Sequence, residues 1–170
     1  AMQQKVVDAV IENARTEKKP CLIHGVTGSG KTEVYMELIA EAAGRGKQSI
    51  VLIPEIALTY QTVMRFYHRF GDRVSIMNSK LSPGERSDQF ERAKKGEIDV
   101  MIGPRSALFT PFSNLGYIII DEEHEGTYKS ETIPRYHARE TAIERARMSG
   151  ATVILGSATP SIESFYHAKK

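Results

Sequence analysis

Eight consecutive residues, Gly25-Val26-Thr27-Gly28-Ser29-Gly30-Lys31-Thr32, carry the densest chemistry in this chain. They fit the pattern G-x-x-x-x-G-K-[ST] and lie between a short apolar run and a stretch with helical periodicity, the context in which that spacing has mechanical meaning. Glycines let the backbone curl tightly enough to aim successive N–H groups at the oxygens of an anion, and a helix opening at Lys31 adds the positive end of its dipole. Phosphate is the ligand that such a loop suits. Lys31 is placed to reach the β- and γ-phosphates of ATP as a point charge, and the Thr32 hydroxyl to bind Mg²⁺.

A second constellation follows the apolar run Gly116-Tyr117-Ile118-Ile119-Ile120, which passes abruptly into Asp121-Glu122-Glu123-His124. In an open α/β sheet ligands sit beyond the carboxyl ends of the strands, so this acidic cluster is expected beside the phosphate loop. Asp121 would hold Mg²⁺, directly or through water, and Glu122 would polarise the water that attacks the γ-phosphorus. Lys31, Asp121 and Glu122 are thus the catalytic candidates, with Thr32 and Asp121 as metal ligands. Gly25, Val26, Thr27, Gly28, Ser29, Gly30, Lys31, Thr32 and Glu33 are the nucleotide-binding candidates. His124 is either a structural hydrogen-bonding group or a sensor of the γ-phosphate.

Both constellations need a scaffold that delivers two strand ends to one place. Short apolar runs alternate with amphipathic stretches along nearly the whole chain, the pattern of βα units feeding a mostly parallel sheet, and the expected class is α/β. Strands are predicted at 21–24, 49–53, 74–77, 99–102, 117–121 and 152–155, each short and apolar as a strand covered on both faces should be. Helices are predicted over 3–16, 31–43 ending at Gly44, 57–70, 82–95, 136–148 and from Pro160 onward. Ser82 before Pro83 makes a good helix start.

The bulk properties limit the alternatives. A chain of 170 residues, 41% hydrophobic, is long enough for one sizeable core and short for two. A net charge of +2 excludes a globally basic nucleic-acid binder, so any DNA contact must be local. The single cysteine, Cys21, excludes an internal disulfide or a cysteine-based zinc site in this segment and reads as a small core residue. No apolar run approaches the roughly 20 residues of a membrane span, so a cytoplasmic protein with no membrane partner is expected.

Asp121-Glu122-Glu123-His124, followed by Gly156-Ser157-Ala158-Thr159-Pro160, resembles motifs II and III of the superfamily 2 helicases, with Gly25 to Thr32 as motif I. Longer strings narrow the likeness. Gly25 to Tyr35, Val51 to Thr59, Gly103 to Phe112 and Gly156 to Ser161 resemble the bacterial replication-restart branch of that superfamily, in motif order and over nearly the full chain.

The resemblance implies a P-loop NTPase of RecA-like fold with helices on both faces of the sheet, spanning residues 1–170 as the first of two helicase lobes. It implies that Gln3, or Gln4 beside it, recognises adenine. It places Pro54, Glu55, Thr59, Arg105 and Ser106 along the backbone of single-stranded DNA, where an arginine and hydroxyls suit contacts that position without reading sequence. It makes Tyr128, Lys129, Arg135, Tyr136 and His137 a loop that couples DNA binding to hydrolysis, and Ser157 and Thr159 relays of the nucleotide state. Arg105 could equally pair with a carboxylate, Glu55 reads more readily as an organiser of its loop than as a DNA contact, and Ser157 and Thr159 could equally cap a helix before Pro160.

The second lobe, an amino-terminal DNA-binding region and a zinc insertion are expected outside this segment, and zinc only there. The segment alone is expected to bind ATP weakly and to hydrolyse it slowly. Expected partners are single-stranded and forked DNA, the second lobe, single-strand-binding protein and primosome proteins. Two rivals stand beside this reading: a lobe of another superfamily 2 translocase in repair, recombination or DNA uptake, and a nucleotide-dependent binding module without hydrolysis. Glu122 argues against the last, since a pure binder needs no water-polarising carboxylate.

Overall fold

In the computed structural model the described residues are 7–13, 21–23, 29–54, 57–78, 80–121 and 138–156. They contain a sheet of six strands: β1 (Cys21–Ile23), β2 (Gln48–Leu52), β3 (Val74–Ile76), β4 (Val100–Gly103), β5 (Leu115–Asp121) and β6 (Thr152–Gly156). The order across the sheet is β1-β6-β5-β2-β4-β3, and every neighbouring pair is parallel. Parallel strands need crossovers, and the helices that supply them cover both faces.

Side chains alternate along each strand, and the two sets enter different cores. Ile50, Leu52, Met101, Ile118, Ile120, Val153 and Leu155 pack with Ala93 of α4 (Pro83–Lys94) and with Ala142 and Ala146 of α5 (Ala138–Ser149). Val51, Val100, Ile102, Ile119 and Ile154 point the other way. They pack with Val7 and Val10 of α1 (residues 7–13), Val34, Leu38 and Ile39 of α2 (Ser29–Gly44), and Phe66 of α3 (Tyr60–Phe70). Apart from Gln48 and Ser49 at the start of β2, the central strands are mainly apolar because they face a core on either side, which is the α/β architecture expected from their composition.

Every predicted strand is present, with ends shifted by one or two residues. Helix starts differ more, for local reasons. The second helix opens at Ser29, not Lys31, so its first turn already includes the end of the glycine-rich motif. The third opens at Tyr60 and not at Ala57: Ala57 N–H donates to Pro54 O at 2.8 Å, and the extended Thr59 caps the helix. Ser82 does what its position before Pro83 suggests. Its hydroxyl accepts from Glu85 N–H while the Glu85 carboxylate accepts from Ser82 N–H, a reciprocal cap. The second helix ends at Gly44 as expected, but the left-handed residue that turns the chain toward β2 is Gly46, at φ 76°. The helix predicted from Pro160 lies outside the described residues.

Two tyrosines tie α2 to β5. Tyr35 Oη donates to Asp121 at 2.7 Å, and Tyr117 Oη donates to Glu41 at 3.1 Å. The later helix residue meets the earlier strand residue, so α2 runs antiparallel to β5 and brings its N-terminus to the carboxyl end of the strand. Burial and the neighbouring Glu41 charge push the Tyr117 phenol well above its usual value, which keeps it a donor. Two ion pairs join α2 to α3 on the outside, Arg65 to Glu33 at 2.7 Å and Arg69 to Glu37 at 3.0 Å.

Candidate functional site

The register of the sheet explains how residues far apart in sequence meet. Ile23 of β1 is level with Gly156 of β6, and Gly156 is level with Asp121 of β5. The end of β1 and Asp121 are therefore separated by one strand, about 10 Å at the usual strand spacing. Helix α2 bridges that gap from above, and Lys31 in its first turn reaches Asp121, Nζ to Oδ1, at 3.4 Å. The Lys31 side chain is 5% exposed and that of Asp121 is 19% exposed.

This arrangement concentrates positive charge. A nearly buried ammonium stands in the first turn of a sixteen-residue helix, where the dipole is also positive. Burial of a cation is costly unless it is compensated, and the Asp121 carboxylate is one group that compensates it. A polyphosphate with a divalent cation suits both groups at once, the phosphate for Lys31 and the helix N-terminus, the metal for Asp121. The side chains present thus fit Mg-ATP. Thr32 stands next to Lys31 and is partly buried, within the same turn.

Tyr35 completes the cluster and was missed in the sequence. It lies one helical turn after Lys31, so it shares that face of α2, and its hydroxyl reaches the same Asp121 oxygen. The i, i+4 spacing from a phosphate-loop lysine was the available signal. Glu33, counted among the nucleotide-binding candidates, has its carboxylate on Arg65 of α3 and so links two helices. Ser29 and Gly30 are helical residues at the start of α2. Gln3, Gly25, Val26, Thr27, Gly28, Glu122 and His124 lie outside the described residues.

Residues 1–167 match the DEAD/DEAH box helicase family. The chain belongs to that family. Among curated proteins, this helicase domain is 54% identical over 154 residues to "Replication restart protein PriA" of Bacillus subtilis, covering 91% of the chain and 19% of the relative. It is 48% identical over 168 residues to the protein of the same name from Chlamydia pneumoniae, covering 98% and 22%. The chain thus spans about a fifth of the length of these relatives. Among solved structures, RecG bound to a three-way DNA junction superposes with a TM-score of 0.68 at 24% identity, covering 98% of this chain and 22% of that one. The helicase domain of Hef from Pyrococcus furiosus superposes at 0.67 and 16% identity, covering 96% and 34%. Both likenesses concern the fold, a RecA-like sheet with helices on both faces.

In this helicase domain the remaining described candidates gather at the same end of the sheet. Leu52 and Gly103 are register partners, so Pro54 and Arg105, each two residues further on, leave adjacent strands side by side. Pro54 is buried, whereas Arg105 and Ser106 are partly buried at the start of a 3-10 turn, Arg105–Phe109. The Thr59 hydroxyl accepts from Thr62 N–H at 3.2 Å as the cap of α3, and the residue is exposed. Glu55, Tyr128, Lys129, Arg135, Tyr136, His137, Ser157 and Thr159 lie outside the described residues. Sequence reasoning also missed Arg145 of α5, whose guanidinium donates to Leu108 O and Thr110 O and so holds the far end of the Arg105 turn. Among the described residues no helix is long and apolar enough to cross a membrane.

Proposed function

We propose that this chain is the first, ATP-binding lobe of a DNA helicase that restarts stalled replication forks in the bacterial cytoplasm. The observation that carries the nucleotide part is the Lys31, Tyr35 and Asp121 cluster, at the carboxyl ends of the strands and at the N-terminus of α2. The replication-restart part rests on the identity to the relatives of that name.

In this reading Gly25 to Thr32 cradle the phosphates, Gln3 contacts adenine, and Lys31 neutralises the β- and γ-phosphates. Thr32 and Asp121 hold Mg²⁺, which when bound supplies charge neutralisation at the transferred phosphoryl group. Glu122 polarises the attacking water, and His124 senses the γ-phosphate. Pro54, Glu55, Thr59, Arg105 and Ser106 follow the DNA backbone. Tyr128 to His137, with Ser157 and Thr159, relay DNA binding to hydrolysis.

A second lobe supplies the other wall of the nucleotide cleft, so the 170-residue chain by itself binds ATP weakly and hydrolyses it slowly. An amino-terminal DNA-binding region and a zinc insertion complete the longer protein. Its partners are single-stranded and forked DNA, single-strand-binding protein and primosome proteins.

Calorimetry with Mg-ATP on the longer protein and on its Lys31→Ala variant, with and without single-stranded DNA, tests the core of this proposal. Binding by the wild type that disappears in Lys31→Ala is expected. Equal affinities in the two proteins would remove Lys31 from the site and the proposal with it.

A further inference from the structure

Tyr35 is 1% exposed, and a buried phenol needs a hydrogen-bond partner. Asp121 is such a partner, and it is not local. From α2 its side chain passes over the end of β6 to reach Asp121 on the next strand, and the passage exists only because residue 156 is glycine. A Cβ built at Gly156 would lie 1.7 Å from the Tyr35 hydroxyl and 2.8 Å from Cζ, so any side chain there expels the hydroxyl from its position. Gly156 closes β6 without a side chain of its own to pack, and the space this leaves is the notch through which the Tyr35 hydroxyl meets the Asp121 carboxylate.

Lys31 and Tyr35 both contact Oδ1 of Asp121, at 3.4 and 2.7 Å. They differ in kind. Lys31 carries charge on a flexible four-carbon stem and can turn toward a phosphate, whereas Tyr35 is a rigid ring wedged in a core with no charge to offer an anion. When Lys31 is engaged by phosphate, the Tyr35 O–H still holds Oδ1 and resists rotation of the carboxylate about its own bond.

We infer that Tyr35 is a positioning residue for Asp121: its hydroxyl pins Oδ1 so that the carboxylate presents a constant face to the metal, and Gly156 provides the room. This rests on the proposed nucleotide reading, and the test separates the two. In the longer protein, the affinity for a fluorescent ATP analogue is measured in EDTA and in Mg²⁺, and Mn²⁺ binding to the nucleotide-saturated protein is followed by electron paramagnetic resonance.

Tyr35→Phe is expected to leave nucleotide affinity in EDTA within about twofold of wild type and to weaken Mn²⁺ binding about tenfold, the worth of a hydrogen bond to a charged group. A merely structural role would move both measurements together or neither. Mn²⁺ binding by Tyr35→Phe equal to wild type overturns the inference while leaving the nucleotide site standing. Wild-type protein that binds no nucleotide, or a Lys31→Ala variant that binds as well as wild type, overturns the nucleotide reading and this inference together. If Tyr35→Phe loses its native circular dichroism, Gly156→Ala carries the test, since it displaces the same hydroxyl while Tyr35 remains. The same selective loss of Mn²⁺ affinity supports the inference and its absence overturns it.

Discussion

Lys31 and Asp121 form an ion pair across two elements ninety residues apart in sequence, 3.4 Å between Nζ and Oδ1, with the lysine side chain almost excluded from water. The two opposite charges offset one another. Asp121→Asn leaves an ammonium buried in the positive first turn of α2, and about 2–3 kcal/mol of folding stability should be lost, toward the lower end for a broken buried pair because Asp121 is partly exposed. Lys31→Met combined with Asp121→Asn should cost less than the two singles summed, by more than about 1 kcal/mol. Urea unfolding in buffer free of phosphate and nucleotide measures all three variants, and strictly additive losses would show that the pair carries no energy.

Gly103 has a packing reason that its sequence does not announce. A Cβ there would meet Met77 O at 2.6 Å and Ala107 Cβ at 3.2 Å, and a backbone carbonyl cannot step aside as a flexible side chain can. Gly103→Ala should therefore destabilise the domain by about 2 kcal/mol. Gly84, in the first turn of α4, has only Ser82 Oγ near its Cβ position, at 3.9 Å. Gly84→Ala should stabilise by roughly 0.5–1 kcal/mol through helix propensity and a less flexible unfolded chain. The opposite signs are the prediction, and denaturant midpoints of the two variants check it.

The elements of the fold were readable because their signals are local. Short β-branched runs such as Ile118-Ile119-Ile120 mark strands covered on both faces, and Ser82 before Pro83 marks a helix start. The sheet order was not readable in that way, since which strands are neighbours depends on crossovers that pair residues such as Cys21 and Ile154. The candidate site divides along the same line. Lys31 and Asp121 stand out by type and spacing, but Tyr35 reaching Asp121 over Gly156, Glu33 turning to Arg65 and Arg145 reaching the Arg105 turn are long-range contacts. An ordinary tyrosine, glutamate or arginine in a helical pattern gives no sign of them.

Arg145 spans two carbonyls, Leu108 O and Thr110 O, from a partly buried position on α5. Arg145→Met should cost about 2 kcal/mol, because both carbonyls lose a charged donor. Arg145→Lys should recover less than half of that, since a single ammonium does not reproduce the planar fork. The turn it clamps begins with Arg105 and Ser106, so under the proposed function Arg145→Met should also raise several-fold the concentration of single-stranded DNA that half-stimulates ATP hydrolysis by the longer protein. Basal hydrolysis should stay unchanged. An equal fall in basal and stimulated rates would place Arg145 in general stability alone.

Cys21 opens β1, the strand that precedes the glycine-rich motif in sequence, and its thiol is pushed up from 9.0 to about 11 by burial, against the smaller lowering effect of the Asn13 amide that donates to Sγ at 2.9 Å. Two units mean that the folded protein holds about a hundredth of the unfolded chain's thiolate near pH 8, so alkylation by iodoacetamide should be about 100-fold slower in native buffer than in urea. The folded state keeps its thiol proton through a range in which the unfolded chain has released it. Stability from this group is therefore complete below pH 9 and declines as pH rises toward about 11. Cys21→Ala should flatten that decline relative to wild type. Mass-spectrometric alkylation rates and urea unfolding between about pH 8.5 and pH 10.5 measure the two effects, and native alkylation as fast as in urea would mean that β1 leaves the thiol open to water.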